Sequence, residues 1–346
     1  MPIPRRHALT LLSSGVALGT IPLEATAQAK RILDISIVGN QLGIHIPETA
    51  AIIEGLPAIA GYGPPKVSRI DQLRTLTSNL IAGATELATP GPTGIFAADE
   101  QGGDVKIIGY FNRNTSLVFA ANADKIKSFK DLEKPENAVA VNGRGDFTEV
   151  MLLGPLIKYG VNLSKVTFVE LGGSGARMRA LLADRVAAVP VHFDQAAELT
   201  AQGPYKVLFE PWTFYKVWVG EVLAVKGSWV KKPENARAAV DVLKAVTLGF
   251  RRANRDFAWY LQMYRKYCTL PDAKDVSEAK VRGLWQKLTV EIKAFPDQNV
   301  LSARDFNDLI PIYRAAGDIN GTFKMSDVVD TSYAETAMKE LGKQGL

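Results

Sequence analysis

The sequence predicts an α/β fold built as two similar lobes with a helical C-terminal tail, and three observations carry that reading. Short β-branched runs alternate with amphipathic segments through the first two thirds of the chain, the pattern of mostly parallel sheets covered by helices on both faces. Glycine-rich turns close several of the strands. A loose internal repeat aligns residues 80–89 with residues 181–190, each reading as helix end, tight turn, short strand and loop.

The elements follow in order. Ile32–Val38 alternates and is β-branched, so it reads as a strand, and Gly39-Asn40-Gln41-Leu42-Gly43 turns it into a helix over Pro47–Gly55. Lys66–Leu73 is a second strand. Thr75–Ala84 is a helix with Leu76, Leu80 and Ile81 on one face. Glu86–Thr89 is a short strand stopped by Pro90-Gly91-Pro92, and Thr93–Gln101 is the next helix. Two more strands, Val105–Phe111 and Ser116–Ala121, flank Asn112-Arg113-Asn114-Thr115.

Ala138–Val141 is the strand that matters most. It stops at Asn142-Gly143-Arg144-Gly145, and Asp146 with Glu149 three residues on has the spacing of a helix capping box. Strand, glycine turn and helix start together leave backbone N–H groups without partners, which suits an anion or a polar ligand. Arg144 adds a forked donor in the same turn. The helix from Phe147 should kink at Pro155 and end at Gly160. Val166–Leu171 is a strand, Gly172-Gly173-Ser174-Gly175 a second glycine turn, and Ala176–Ala183 a helix. Val186–Val191, Gln195–Gln202 and Lys206–Phe209 read as strand, helix and strand, and Trp212–Val225 as a mixed aromatic and β-branched run. From Lys232 the character is helical: Pro233–Tyr267, Ser277–Ala294, Ser302–Ala316 and Asp330–Leu341. This tail has no separate core and should pack on the first lobe.

Composition narrows the function. The 346 residues carry a formal charge of +5, spread along the chain without bases interleaved with aromatics, which argues against nucleic acid as a partner. Arg5-Arg6, an apolar run from Ala8 to Ile21, Pro22 and Ala25-Thr26-Ala27 have the layout of a secretory signal peptide over residues 1–27, with a partial twin-arginine motif. No cysteine lies near the cleavage site, so the mature chain is expected free in the periplasm and not lipid-anchored. No later stretch holds the ~20 uninterrupted apolar residues that cross a bilayer. Cys268 is the only cysteine, and His45 and His192 the only histidines outside the leader. That excludes an intramolecular disulfide and makes a poor case for a metal site.

Several ordered motifs resemble one family. Ala82-Gly83 through Pro92 resembles a Leu-x-x-Gly-x-x-Asp-x-x-x-x-Gly-Pro run. Gly103-Asp104-Val105-Lys106-Ile107-Ile108, Ser128-Phe129-Lys130-Asp131-Leu132 and Gly160-Val161-Asn162-Leu163-Ser164-Lys165-Val166 match its strand entries and its helix-to-strand join. Over most of residues 31–345 the chain resembles the substrate-binding proteins of bacterial ABC importers, of the type that binds sulfonates, taurine, nitrate and the thiamine-precursor pyrimidine. Glu86 and Ala187 at the expected acidic position, and the extended Gly172–Gly175 turn, depart from the pattern and bear on ligand more than on fold.

The resemblance implies a two-lobed type II periplasmic binding protein fold, two doubly wound α/β lobes joined by a hinge. Lobe one would be residues 30–117 plus 217–346 and lobe two 118–216. The implied function is capture of a small organic ligand by hinge closure and its delivery to a permease and ATPase complex at the inner membrane, by a monomer.

Ligands of open α/β sheets sit beyond the strand carboxyl ends. The candidate ligand residues on those turns are Gln41, His45, Thr89, Thr115, Ser116, Asn142, Gly143, Arg144, Gly145 and Ser174, with Phe193 and Trp212 as stacking surface. Arg144 favours a sulfonate or carboxylate, and the aromatic residues favour a ring. The chain has no nucleophile elbow, Cys–His pair or metal cluster, so neither catalysis nor a cofactor is expected. A ligand-sensing module, a binder of a thiamine-precursor-like pyrimidine and an exported enzyme on the same scaffold are the alternatives.

Overall fold

The computed structural model describes residues 30–215, 217–271, 273–317 and 319–346. The leader read in residues 1–27 lies outside the described residues.

Among the described residues ten strands form two sheets of five. In chain order they are β1 (Asp34–Val38), β2 (Lys66–Ile70), β3 (Leu87–Ala88), β4 (Val105–Tyr110), β5 (Leu117–Asn122), β6 (Val139–Val141), β7 (Phe168–Glu170), β8 (Ala188–His192), β9 (Tyr205–Phe209) and β10 (Val222–Lys226). The first sheet has the order β2-β1-β3-β10-β4 and the second β7-β6-β8-β5-β9. The two orders are equivalent, as the internal repeat predicts. In each sheet four strands run in one direction, and a strand arriving from the other half pairs antiparallel with both its neighbours. In the first sheet that strand is β10, with Ala224 opposite Ala88 and Val222 opposite Tyr110. In the second it is β5, with Leu117 opposite His192 and Phe119 opposite Phe209. The chain therefore crosses between sheets twice, between β4 and β5 and between β9 and β10.

Most elements form where the sequence places them. Gly83 ends the helix Leu73–Ala82 in the left-handed region, at φ +72°, a conformation that favours glycine. The helix Phe147–Lys158 runs through Pro155 to Lys158, and Asp146 caps it by accepting from the Thr148 N–H at 2.8 Å. Glu149 does not close a capping box. Its Oε2 accepts from the Gly145 N–H at 2.7 Å and from Arg144 Nε at 2.9 Å.

The long helix expected over Pro233–Tyr267 breaks at Asp256 into Pro233–Arg255 and Phe257–Tyr267. Asp256 starts the second piece, with its side chain accepting from the Trp259 N–H at 2.9 Å. Hydrophobic spacing continues across the break, so periodicity alone does not reveal it.

One core packs Ile35, Ile37, Leu87, Leu223 and Val225 of the first sheet against Val242, Leu243, Val246 and Phe250. A second core is shared. It joins Phe96 and Ile107 of the first half, Trp218 and Val219 of the return crossing, Val139, Val150 and Leu153 of the second half, and Phe306, Leu309 and Tyr313 of the tail. The tail thus packs mostly on the first lobe, but its helix Ile310–Ala315 also lies against the helix Phe147–Lys158 of the second.

Candidate functional site

The two sheets face each other across a cleft built from turns that follow their strands. A cavity of about 30 Å³ lies in it. Asn40, His45 and Asp71 line it from the first half, and Asn142, Gly173, Ser174, Arg177 and His192 from the second. Glu221, from the return crossing, completes the wall. The halves touch here: Asn142 Nδ2 donates to the Asp71 carbonyl at 2.9 Å.

Arg177 is the cation of this site. It stands on the first turn of the helix Ser174–Leu182 and is 3 % exposed. Helical side chains lean toward the N-terminus, so the guanidinium reaches back over its own glycine turn. Its Nε donates to the Pro190 carbonyl at 2.8 Å, and one terminal nitrogen donates to the Gly172 carbonyl. Burial draws its pKa down to about 10, against the pull of Asp146, so it stays charged at neutral pH. Ser174, at the same helix start, is 3 % exposed and its hydroxyl has no partner. The first amides of a helix also lack intrahelical acceptors.

Two histidines form the middle of the site. Leu42 N–H donates to His45 Nδ1 at 3.3 Å, so Nδ1 is the acceptor and Nε2 carries a ring proton. That Nε2 is buried without a hydrogen-bond partner, 3.9 Å from Glu221 Oε1. His192 lies edge-on to His45, ring centroids 5.4 Å apart. Its Nδ1 sits 2.6 Å from Ser116 Oγ, a contact set by the pairing of Leu117 with His192 between β5 and β8. Burial, then the His45 and Arg177 charges, holds the His192 pKa well below the ordinary histidine range. Glu221 accepts from Asn112 Nδ2. Behind the cleft Glu48 is fully buried, and burial, reinforced by Glu221, raises its pKa well above the carboxylate range. Among the described residues no cluster of three or more His, Cys, Asp or Glu is placed to hold a metal ion.

The predicted residues divide. His45, Asn142 and Ser174 line the cavity, and Ser116 holds His192 from behind. Gly143 lies beside Arg74 of the first half. Gln41 is buried with its amide bonded to the Val38 carbonyl and Thr49. The hydroxyl of Thr89 accepts from the Val38 N–H, and that of Thr115 from the Leu117 N–H. Gly145 borders a separate groove of about 350 Å³ between the helices Leu73–Ala82 and Pro92–Glu100. The Arg144 side chain is 52 % exposed, pairs with Glu149 and lies 5.0 Å from the Phe168 ring. Phe193 and Trp212 meet edge-to-face beneath Lys287, and the Trp212 indole N–H donates to Glu291 at 2.9 Å. Neither ring lines the cavity.

Sequence reasoning missed Arg177, Asp71 and Glu221, and of the turn His192–Phe193 at the end of β8 it chose Phe193, whereas His192 lines the cavity. Arg177 had one usable signal, its place one helical turn after Ser174, because a side chain there leans back over the turn.

The description of the NMT1/THI5-like family matches residues 71–252, more than half of the chain. A comparison with curated protein sequences finds no match. Among solved structures, the nitrate-binding protein NrtA from Synechocystis PCC 6803 superposes with a TM-score of 0.71 at 13% identity, covering 91% of this chain and 90% of that one. The alkanesulfonate-binding protein SsuA from Xanthomonas axonopodis pv. citri, solved with MOPS, gives 0.67 at 15%, covering 88% and 100%. The ligand-binding component of an ABC-type import system from Staphylococcus aureus, solved with zinc, gives 0.71 at 11%, covering 89% and 99%. At these identities the likeness is one of fold.

Proposed function

Because the chain belongs to the NMT1/THI5-like family, we propose that it is a solute-binding protein that closes on a small, oxyanion-bearing organic ligand and delivers it to an ABC importer from the periplasm. The observation that carries the anionic reading is the pairing of buried Arg177 with the unpartnered Ser174 hydroxyl at one helix start. A buried guanidinium charge, a hydroxyl and helix-start amides together suit a sulfonate or carboxylate. The proteins of like fold named for nitrate and alkanesulfonate also take oxyanions.

The opposite side of the cavity is acidic, through Glu221 and Asp71. It favours a ligand whose other end donates hydrogen bonds, such as an amino or hydroxy group. An aromatic ligand or a pyrimidine loses support, because Phe193 and Trp212 are engaged outside the cavity. The Ser116–His192 contact reads as a strut that orients a neutral imidazole and not as a catalytic pair.

The test is a thermal-shift panel of sulfonates, carboxylates, aromatic acids and pyrimidines on the mature chain, with and without an amino or hydroxy group. Small sulfonates or carboxylates with a donor at the far end should stabilise it most. Stabilisation by neutral pyrimidines alone, or by no anion in the panel, would contradict the reading.

A further inference from the structure

Gly173 is a glycine that its own backbone does not require. Its φ is −58° and its ψ 155°, a conformation open to any residue. It occupies the N-cap of the helix Ser174–Leu182 and makes no side-chain cap bond, at a position where Ser, Asp or Asn would strengthen the helix. What a side chain would meet there lies in the other half of the molecule. A β-carbon on Gly173 would lie 2.7 Å from Asn40 Nδ2, and 3.5 and 3.7 Å from the Asp71 side chain. Asn40 follows β1 and Asp71 follows β2, so both belong to the first half. The neighbouring Asn142 already donates to the Asp71 carbonyl.

We infer that Gly173 is the interlock of the closed state: a β-carbon there must turn the Asn40 amide aside, and a larger side chain must also press on Asp71, before the two halves seat. It acts as a positioning residue: it touches the opposing lobe and sets how often the cleft closes. Gly172 beside it is less informative, because its φ of +66° demands glycine in any case. The inference rests on the solute-binding reading for its meaning, but its test needs no ligand.

Closure is read by cross-linking. Cysteines replace Arg74 and Gly143 in a Cys268→Ser background, and a short bifunctional thiol reagent joins them. A β-carbon on Gly143 would lie 3.6 Å from Arg74 Nε, an ordinary contact across the halves, so the pair joins when the cleft is shut. The rate reports the closed population even when that population is small. Adding Gly173→Val should lower the rate at least tenfold, while circular dichroism and the unfolding temperature stay at those of the parent. Gly173→Ala should lower it about threefold, since its single methyl meets mainly Asn40 Nδ2, and adding Asn40→Ala should restore the parental rate.

A parental rate in a folded Gly173→Val chain overturns the inference. So does failure of Asn40→Ala to restore Gly173→Ala, and that pair decides the matter where the valine chain does not fold. Absence of any small-molecule ligand would count against the solute-binding reading and leave these rates untouched.

Discussion

Tyr215 donates its phenolic O–H to the carbonyl of Met151 at 2.9 Å. Met151 stands four residues before Pro155 inside the helix Phe147–Lys158, so its carbonyl is the one that a proline N–H cannot serve. The return crossing between the lobes thus satisfies an acceptor that the second lobe's own sequence leaves open. Gly154 makes room for the ring, since any β-carbon there would collide with the tyrosine oxygen. Tyr215→Phe should lower the unfolding free energy by about 1–3 kcal/mol, the cost of a buried acceptor left unpaired. Denaturant titration checks it, and an unchanged midpoint would mean that the carbonyl finds another donor.

Arg177 and Arg144 separate two accounts of anion recognition. Arg177 is buried at the cavity, whereas Arg144 is half-exposed and turned to Glu149. Calorimetry with the strongest anionic hit should show Arg177→Met weakening binding about tenfold or more, as expected for a lost charge-assisted hydrogen bond. Arg144→Ala should change the dissociation constant by less than about twofold, in line with an exposed ion pair. The opposite ranking would return recognition to the 142–147 turn.

Asp146 gives a pH signature. Burial pushes its carboxyl from 3.8 in the unfolded chain up to about 6 in the fold, against the pull of the Thr148 bonds and of Arg177. Between those values the folded form holds the extra proton. Its contribution to stability is therefore greatest below pH 4 and is lost as pH rises through 6. Asp146→Asn keeps an oxygen to cap the helix and removes the charge. The unfolding temperature of the variant relative to the parent should rise between pH 4 and pH 7. A difference that is flat or falls over that range would contradict the burial of this charge.

His192 has the reverse slope. A base whose folded pKa is depressed contributes stability that is present above its unfolded value of 6.5 and lost as pH falls below it. His192→Gln, which retains a side-chain acceptor for Ser116, should flatten the loss of stability between pH 6.5 and pH 5. Thermal melts of parent and variant over that interval check it, and parallel curves would argue against a buried neutral ring.

The paired sheets were legible because β-branched runs and glycine turns are local signals, and the repeat between residues 80–89 and 181–190 announced their equivalence. The break at Asp256 was hidden by hydrophobic spacing that continues through it. At the site, residues on turns after strands were readable, as with His45, Asn142 and Ser174. Arg177 and Glu221 were not, since one reaches back from inside a helix and the other enters from a crossing, and neither direction is written in the spacing. Arg144 was conspicuous for its place in a glycine turn, yet Glu149, five residues on, holds it outward. The same turns that looked like ligand cradles also seat the opposing lobe, because a glycine that admits a ligand equally admits another stretch of chain.

Small-angle X-ray scattering of the mature chain, titrated with the anion that stabilises it most, tests the account at its centre. One equivalent should shrink the radius of gyration, and the compound recovered afterwards should be chemically unchanged. Saturable binding with no contraction, or recovery of an altered compound, would contradict a protein that works by closing two lobes on an intact solute.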